Sequence, residues 1–196
     1  MIPPKGNYDK VISENIRRNA LLDAPYDPIT GFGSPIERQE VVFSDFDSPL
    51  YLPVSMLNIE WVNKLTDYKS MIDAANALKI SKEDLYEYFV DERFEHDFEF
   101  FAAMTVKIIG KDSFQPISFI LRTAQRVLLY ELEKMRIAGV PIRIVLLKAR
   151  QWGGSTLVQM YMFWIQQIHK RNWHLAVVAQ DDSAAKNISG MYTNAA

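Results

Sequence analysis

The chain has 196 residues, of which 48% are hydrophobic and 23% charged, enough to bury a sizeable core as one or two domains. It has no cysteine, which excludes disulfides and thiolate-ligated zinc, and neither an apolar signal segment in Met1–Lys10 nor a run of about eighteen apolar residues points to secretion or a membrane span, so a soluble, intracellular protein is expected. The net charge of −2 divides unevenly, 11 Lys+Arg against 19 Asp+Glu in residues 1–110 and 11 against 5 in 111–196, so a basic unit suited to phosphates follows an acidic one, with no Lys/Arg cluster dense enough to mark a DNA path.

Residues 1–48 are rich in Pro, Asp, Ser and Gly (Pro3-Pro4, Pro25-Tyr26-Asp27-Pro28, Gly31-Phe32-Gly33), which favours an extended arm with turns over regular elements. A mainly helical accessory region is expected over 49–110. From Ser55 to Met71 the apolar positions Met56, Ile59, Val62 and Leu65 recur at helical spacing, and Ser81 to Asp84 resembles a capping box ahead of a helix bearing Leu85, Tyr88 and Phe89.

In residues 94–109, His96 stands among Glu95, Asp97 and Glu99, an arrangement with the residue types of a metal site. The stronger reading is a helix whose apolar face is Phe94, Phe98, Phe101 and Ala102, with the acids on the solvated side. Tyr88-Phe89-Val90-Asp91-Glu92 imitates the apolar-run-plus-Asp-Glu signature of a magnesium-organising strand, but it lies in a helical pattern and upstream of any phosphate loop.

The second half is more regular. Phe119 to Arg136 carries Ile120, Val127, Leu128, Leu129, Leu132 and Met135 on a helical period, and Gly139-Val140-Pro141 ends it. Ile142–Leu147 reads as a buried strand, Lys148–Gly154 as a basic, glycine-bearing turn, and Leu157 to Ile168 as a helix of about four turns closing on Lys170 and Arg171. Trp173–Ala179 is a second β-rich run, after which Asp181, Asp182 and Ser183 offer N-caps to a further helix. Residues 142–190 thus read as a βαβα unit with parallel strands and a right-handed crossover.

Strand, turn and helix N-terminus together are suited to phosphate, because a helix N-terminus presents unpaired N–H groups and the positive end of its dipole. Gly153 and Gly154 allow close backbone approach. Ser155 stands where the G-x-x-x-x-G-K-[ST] pattern puts its magnesium-binding hydroxyl, with Lys148 in the first glycine slot and Gly154 in the lysine slot. A glycine N-cap between a core strand and a core helix explains the same residues equally well.

The ordered series DFEFFAAMTVKI (97–108), FILRTAQRVLL (119–129), GVPIRIVLLKARQWGGSTLVQ (139–159) and HLAVVAQDDSAAKNI (174–188) resembles the N-terminal part of the large terminase subunit of tailed bacteriophages, the ATP-driven motor that packages DNA into procapsids. The resemblance covers roughly residues 90–196. It implies an α/β fold: a P-loop NTPase parallel-sheet core of the RecA-like (ASCE) kind, incomplete within 111–196 and preceded by the helical region. It implies ATP and Mg²⁺ as cofactors. It implies double-stranded DNA, the portal protein and the small terminase subunit as partners, a homo-oligomer on the portal, and the host cytoplasm as location.

Residue by residue, Gln125 matches the glutamine that recognises adenine, a task for which an amide offers both donor and acceptor. Arg150 and Gln151 match the Arg-Gln pair of terminase phosphate loops, where the arginine contacts the terminal phosphate and acts as the catalytic trigger. Gly153, Gly154, Ser155 and Thr156 match the anion cradle. Ser155 is the expected metal ligand, and Thr156 takes its place if the register shifts by one. Gly154 departs from the commonest pattern, so either Lys148 or Arg150 must supply the cation. No apolar run ending in Asp-Glu follows the loop, and no acid-rich nuclease domain appears, so the chain reads as an N-terminal fragment whose hydrolytic carboxylates are missing. Two other readings stay open: another nucleic-acid-dependent P-loop ATPase of helicase type, and a non-catalytic interaction module with a dead nucleotide site.

Overall fold

The computed structural model describes residues 8–19, 25–43, 48–109, 115–147 and 152–170, together with His174, Ala176, Val178, Asp182, Lys186 and Gly190. The chain divides into two compact units, Met1–Thr105 and Val106–Ala196. Among the described residues no helix is long and apolar enough to cross a membrane.

The first unit begins with α1 (Tyr8–Asn19), in a region whose composition suggests only turns. Its inward positions Val11 and Asn15 are buried while Ile12 and Ile16 are exposed. Turns built on the Pro- and Gly-rich residues lead to β1 (Arg38–Val41), which pairs antiparallel with β2 (Leu50–Pro53) in the register Arg38↔Pro53 to Val41↔Leu50. The arm is therefore not extended throughout: helix formation in α1 and strand pairing in β1 override its turn-rich composition.

The apolar spacing from Ser55 to Met71 is satisfied by three helices in succession. These are α2 (Val54–Leu57), α3 (Glu60–Asn63) and α4 (Tyr68–Leu78). The last begins where Asp67 accepts the Ser70 N–H and Ser70 Oγ accepts the Asp67 N–H, a reciprocal cap that starts a new helix and interrupts the preceding pattern. Next, α5 (Lys82–His96) opens on the Ser81/Asp84 box with both bonds formed. Among the described residues, one apolar cluster of the unit is made of Phe43, Leu65, Met71, Ala74, Ala75 and Leu85 and another of Leu52, Met56 and Val62. Val41, Leu50, Trp61 and Phe89 pack against both clusters. The final helix, α6 (Phe98–Thr105), buries nearly its whole surface from Phe98 to Ala103.

In the second unit, β3 (Lys107–Ile109) pairs antiparallel with β4 (Pro116–Ser118). Phe119, Ile120 and Leu121 are buried just before α7 (Thr123–Ile137). That helix ends in a Schellman motif, with the Val140 N–H on Met135 and the Gly139 N–H on Arg136, so Gly139 stops it as its sequence position indicates. Residues 141–147 then run without regular secondary structure. After the turn, α8 (Gly154–Trp164) continues into a π-helical turn, Ile165–His169.

The expected parallel core is not formed among the described residues, whose sheets are two antiparallel pairs. Ile142–Leu147, expected as a buried strand, takes no strand partner there. Val145 and Leu147 are fully exposed, and Ile142, Ile144 and Leu146 each keep about 40% of their surface in solvent. Apolar content favours burial but cannot supply the neighbouring strands that a parallel ladder requires. The second β-rich run and its helix fall almost wholly outside the described residues.

Candidate functional site

The turn before α8 is shaped by two glycines for different reasons. Gly153 is the N-cap and sits in the left-handed region at φ +83°, where a side chain is strained. A Cβ there would also lie 2.7 Å from Gln125 Nε2. Gly154 is buried beneath the Trp152 indole, and a Cβ on it would come within 2.6 Å of Trp152 Cζ2. The side chain that most phosphate loops carry in this slot is thus excluded sterically by the preceding tryptophan. Trp152 packs against the turn, and its Nε1 is buried with no hydrogen-bond partner among the described residues.

The N-cap of α8, Gly153, has no side chain with which to cap it. Its first helical bond runs from the Leu157 N–H to the Gly153 carbonyl at 3.0 Å, so the Gly154, Ser155 and Thr156 N–H groups precede the helical ladder and belong to the donor-rich end of the dipole. Ser155 is exposed and Thr156 half-buried. Lys148, Arg150 and Gln151 lie outside the described residues, so the cations expected beside this turn do too.

Gln125 is brought to the turn from 28 residues upstream. Its Nε2 donates to the Gly153 carbonyl at 2.9 Å and its Oε1 accepts the Arg122 N–H at 2.8 Å. Only 4% of its surface is exposed. The sequence resemblance assigns it to a base; here its amide joins the first turn of α7 to the N-cap of α8.

A second bridge ties the same helices further along. Tyr161 donates to Glu133, whose carboxylate also accepts two bonds from Arg136. The Arg136 guanidinium lies 5.1 Å from the Trp164 ring centroid, and Trp164 in turn packs on Tyr161. Burial, reinforced by the Glu133 charge, raises the Tyr161 phenol well above its ordinary range, so the hydroxyl remains a donor. Linear sequence gives no sign of this cluster, because Glu133 and Arg136 read as one turn of a solvated helix face.

The acids of residues 95–99 need a correction. Glu95 is exposed as its helical phase requires, but Asp97 and Glu99 are each 1% exposed. Asp97 breaks the expected continuous helix, ending α5 and accepting the Phe100 N–H at the start of α6. Arg38 grips its carboxylate through two bonds of 2.7 and 2.8 Å, Arg93 adds a third, and Arg38 also reaches Glu99 at 2.8 Å. Ser34 bonds the same Glu99 oxygen. Two carboxylates can be buried here because two guanidiniums from separate elements neutralise them. Burial alone raises the Asp97 pKa, yet the Arg38 charge and hydrogen bonds outweigh it and hold the carboxyl down to about 2. Helical periodicity misplaced both acids because their partners lie 59 and 61 residues away in Arg38.

The chain matches no protein-family model, no curated protein and no solved structure.

Proposed function

We propose that the chain binds ATP with Mg²⁺ at the turn preceding α8, as part of a DNA-packaging motor of the large-terminase kind. The observation that carries this reading is the glycine turn that opens α8. A left-handed glycine, which brings no capping side chain of its own, turns the chain into the helix there, an arrangement that favours a bound phosphate. An apolar run precedes the turn and a hydroxyl follows it, the order in which nucleotide loops present their parts.

In this reading the Gly153–Thr156 backbone cradles the phosphates and the Ser155 hydroxyl, exposed at the second helical position, ligates Mg²⁺. The ion would neutralise charge on the phosphate oxygens. Trp152 leaves no room for a lysine at 154, so Arg150 or Lys148 supplies the cation, with Arg150 the catalytic trigger. Double-stranded DNA, portal protein, small terminase subunit and further copies of the chain are the partners of such a motor.

Calorimetry with ATP in the presence and absence of Mg²⁺ tests the proposal. Replacing Arg150 with alanine should weaken binding by about 1–3 kcal/mol, the range for a lost charge-assisted hydrogen bond. A larger loss in Lys148→Ala transfers the role to Lys148, and absence of ATP binding by the unaltered chain ends the proposal.

A further inference from the structure

The Gly153 carbonyl accepts two hydrogen bonds at once, 3.0 Å from the Leu157 N and 2.9 Å from Gln125 Nε2. A peptide unit is planar and trans, so the Gly153 carbonyl and the Gly154 N–H point in opposite directions and turn together. Whatever fixes the oxygen therefore fixes the direction of the first N–H that the turn offers to a ligand. The Leu157 bond holds this oxygen from within the helix, and the Gln125 amide adds a second hold on a peptide flanked by two glycines, residues that populate positive and negative φ about equally. At the other end of the same amide, the Arg122 N–H holds Oε1 at 2.8 Å, and Arg122 is the N-cap residue of α7. The amide is thus tethered at a helix start and applied to the turn.

We infer that Gln125 is the positioning residue of the phosphate turn: its amide fixes the Gly153–Gly154 peptide so that the α8 N–H groups face the ligand, and it takes no part in reading the base. This inference rests on the nucleotide site proposed above. Burial argues against base reading, because a side chain 4% exposed, with each end of its amide already engaged inside the protein, has its remaining donor and acceptor sites shielded from a purine in solvent. Triphosphate affinity should then depend on Gln125 equally for any base, or for no base at all.

The test uses the full chain and two substitutions. Gln125→Met keeps length and burial but removes both hydrogen bonds, whereas Gln125→Glu keeps the acceptor for Arg122 and turns an oxygen towards the Gly153 carbonyl. Affinities are measured for ATP, GTP and inorganic tripolyphosphate, each with Mg²⁺, and the amide resonances of Gly153 to Thr156 are followed without ligand. The expected result is the same loss for all three probes, roughly two- to tenfold for the removal of one neutral hydrogen bond, with those four resonances displaced before any ligand is added. Loss confined to ATP, with tripolyphosphate affinity unchanged and the resonances unmoved, would overturn it and return Gln125 to the base. If the unaltered chain binds none of the three probes, the nucleotide reading fails separately. The ligand-free resonances then decide the positioning role: displacement upholds the clamp on the turn, and unmoved resonances remove it.

Discussion

The Tyr161 hydroxyl lies 2.6 Å from Glu133 Oε1 and donates to it, joining two helices that are separated in sequence by an exposed apolar run and the glycine turn. With Gln125 bonded to Gly153, α7 is attached to α8 at both ends of the shared face. The helix that begins with the turn and the helix that precedes it are thereby held in one register, so distortion of either should reach the turn.

Tyr161→Phe removes the only donor that Glu133 draws from α8 among the described residues. A hydrogen bond to a charged group contributes about 1.5–3 kcal/mol, and the Phe ring preserves the packing on Trp164. Urea denaturation should show a loss in this range. A change below roughly 0.5 kcal/mol, the size typical of a neutral surface substitution, would mean that Arg136 alone satisfies the carboxylate.

Asp97 gives the first unit an acid-sensitive centre. Its folded carboxyl titrates at about 2 against an ordinary 3.8, so in acid the unfolded chain binds protons that the folded one refuses. The contribution is complete above about pH 4 and is lost as pH falls towards about 2. Asp97→Asn should flatten the stability profile in that window. Arg38→Ala, which leaves two buried carboxylates short of a partner, should cost about 3–5 kcal/mol at neutral pH. Unfolding curves at pH 7 and pH 3 check both, and equal acid sensitivity in the unaltered protein and Asp97→Asn would rule out Asp97 as the source.

Local signals were legible wherever a residue acts on its neighbours. Ser81 and Asp84 cap α5 through their side chains, while Gly139 stops α7 and Gly153 opens α8 through backbone conformation, each within a few positions. The turn itself was therefore recognisable as glycine-dependent. What Gln125 does there was not, because an isolated glutamine carries no mark of a partner 28 residues on. The same limit hid Arg38 behind a turn-rich arm and placed Asp97 and Glu99 on a solvated face. Apolar periodicity located the helical region from Ser55 to Met71 but missed α1 and did not mark the breaks at Asn58 and Thr66. At Ile142–Leu147, β-rich composition reports a preference for burial and pairing without saying what pairs.

Val145 and Leu147 point fully into solvent next to four further exposed apolar residues between Val140 and Leu146. Such a run favours association between chains. Val145→Lys and Leu147→Lys should leave unfolding stability within about 0.5 kcal/mol, as expected at exposed positions. They should also lower concentration-dependent light scattering. Destabilisation by more than about 1 kcal/mol would show that these side chains are covered in the folded protein.

Gly154 offers a test in which two effects have opposite signs. At the first position of a helix, replacing glycine with alanine ordinarily stabilises by up to about 1 kcal/mol, because the unfolded chain loses freedom. Here the new methyl would stand 2.6 Å from Trp152 Cζ2, and an aromatic ring yields less readily than the end of a flexible chain. Overpacking of this kind costs about 1–3 kcal/mol, so Gly154→Ala should destabilise, and Gly154→Lys, which restores the commonest loop pattern, should destabilise more. In a Trp152→Ala background the obstruction is gone and Gly154→Ala should become neutral or stabilising. Thermal unfolding of the four members of this cycle measures the coupling directly. If Gly154→Ala behaves the same with and without the indole, Trp152 does not cover the glycine and the absence of lysine from the turn has another cause.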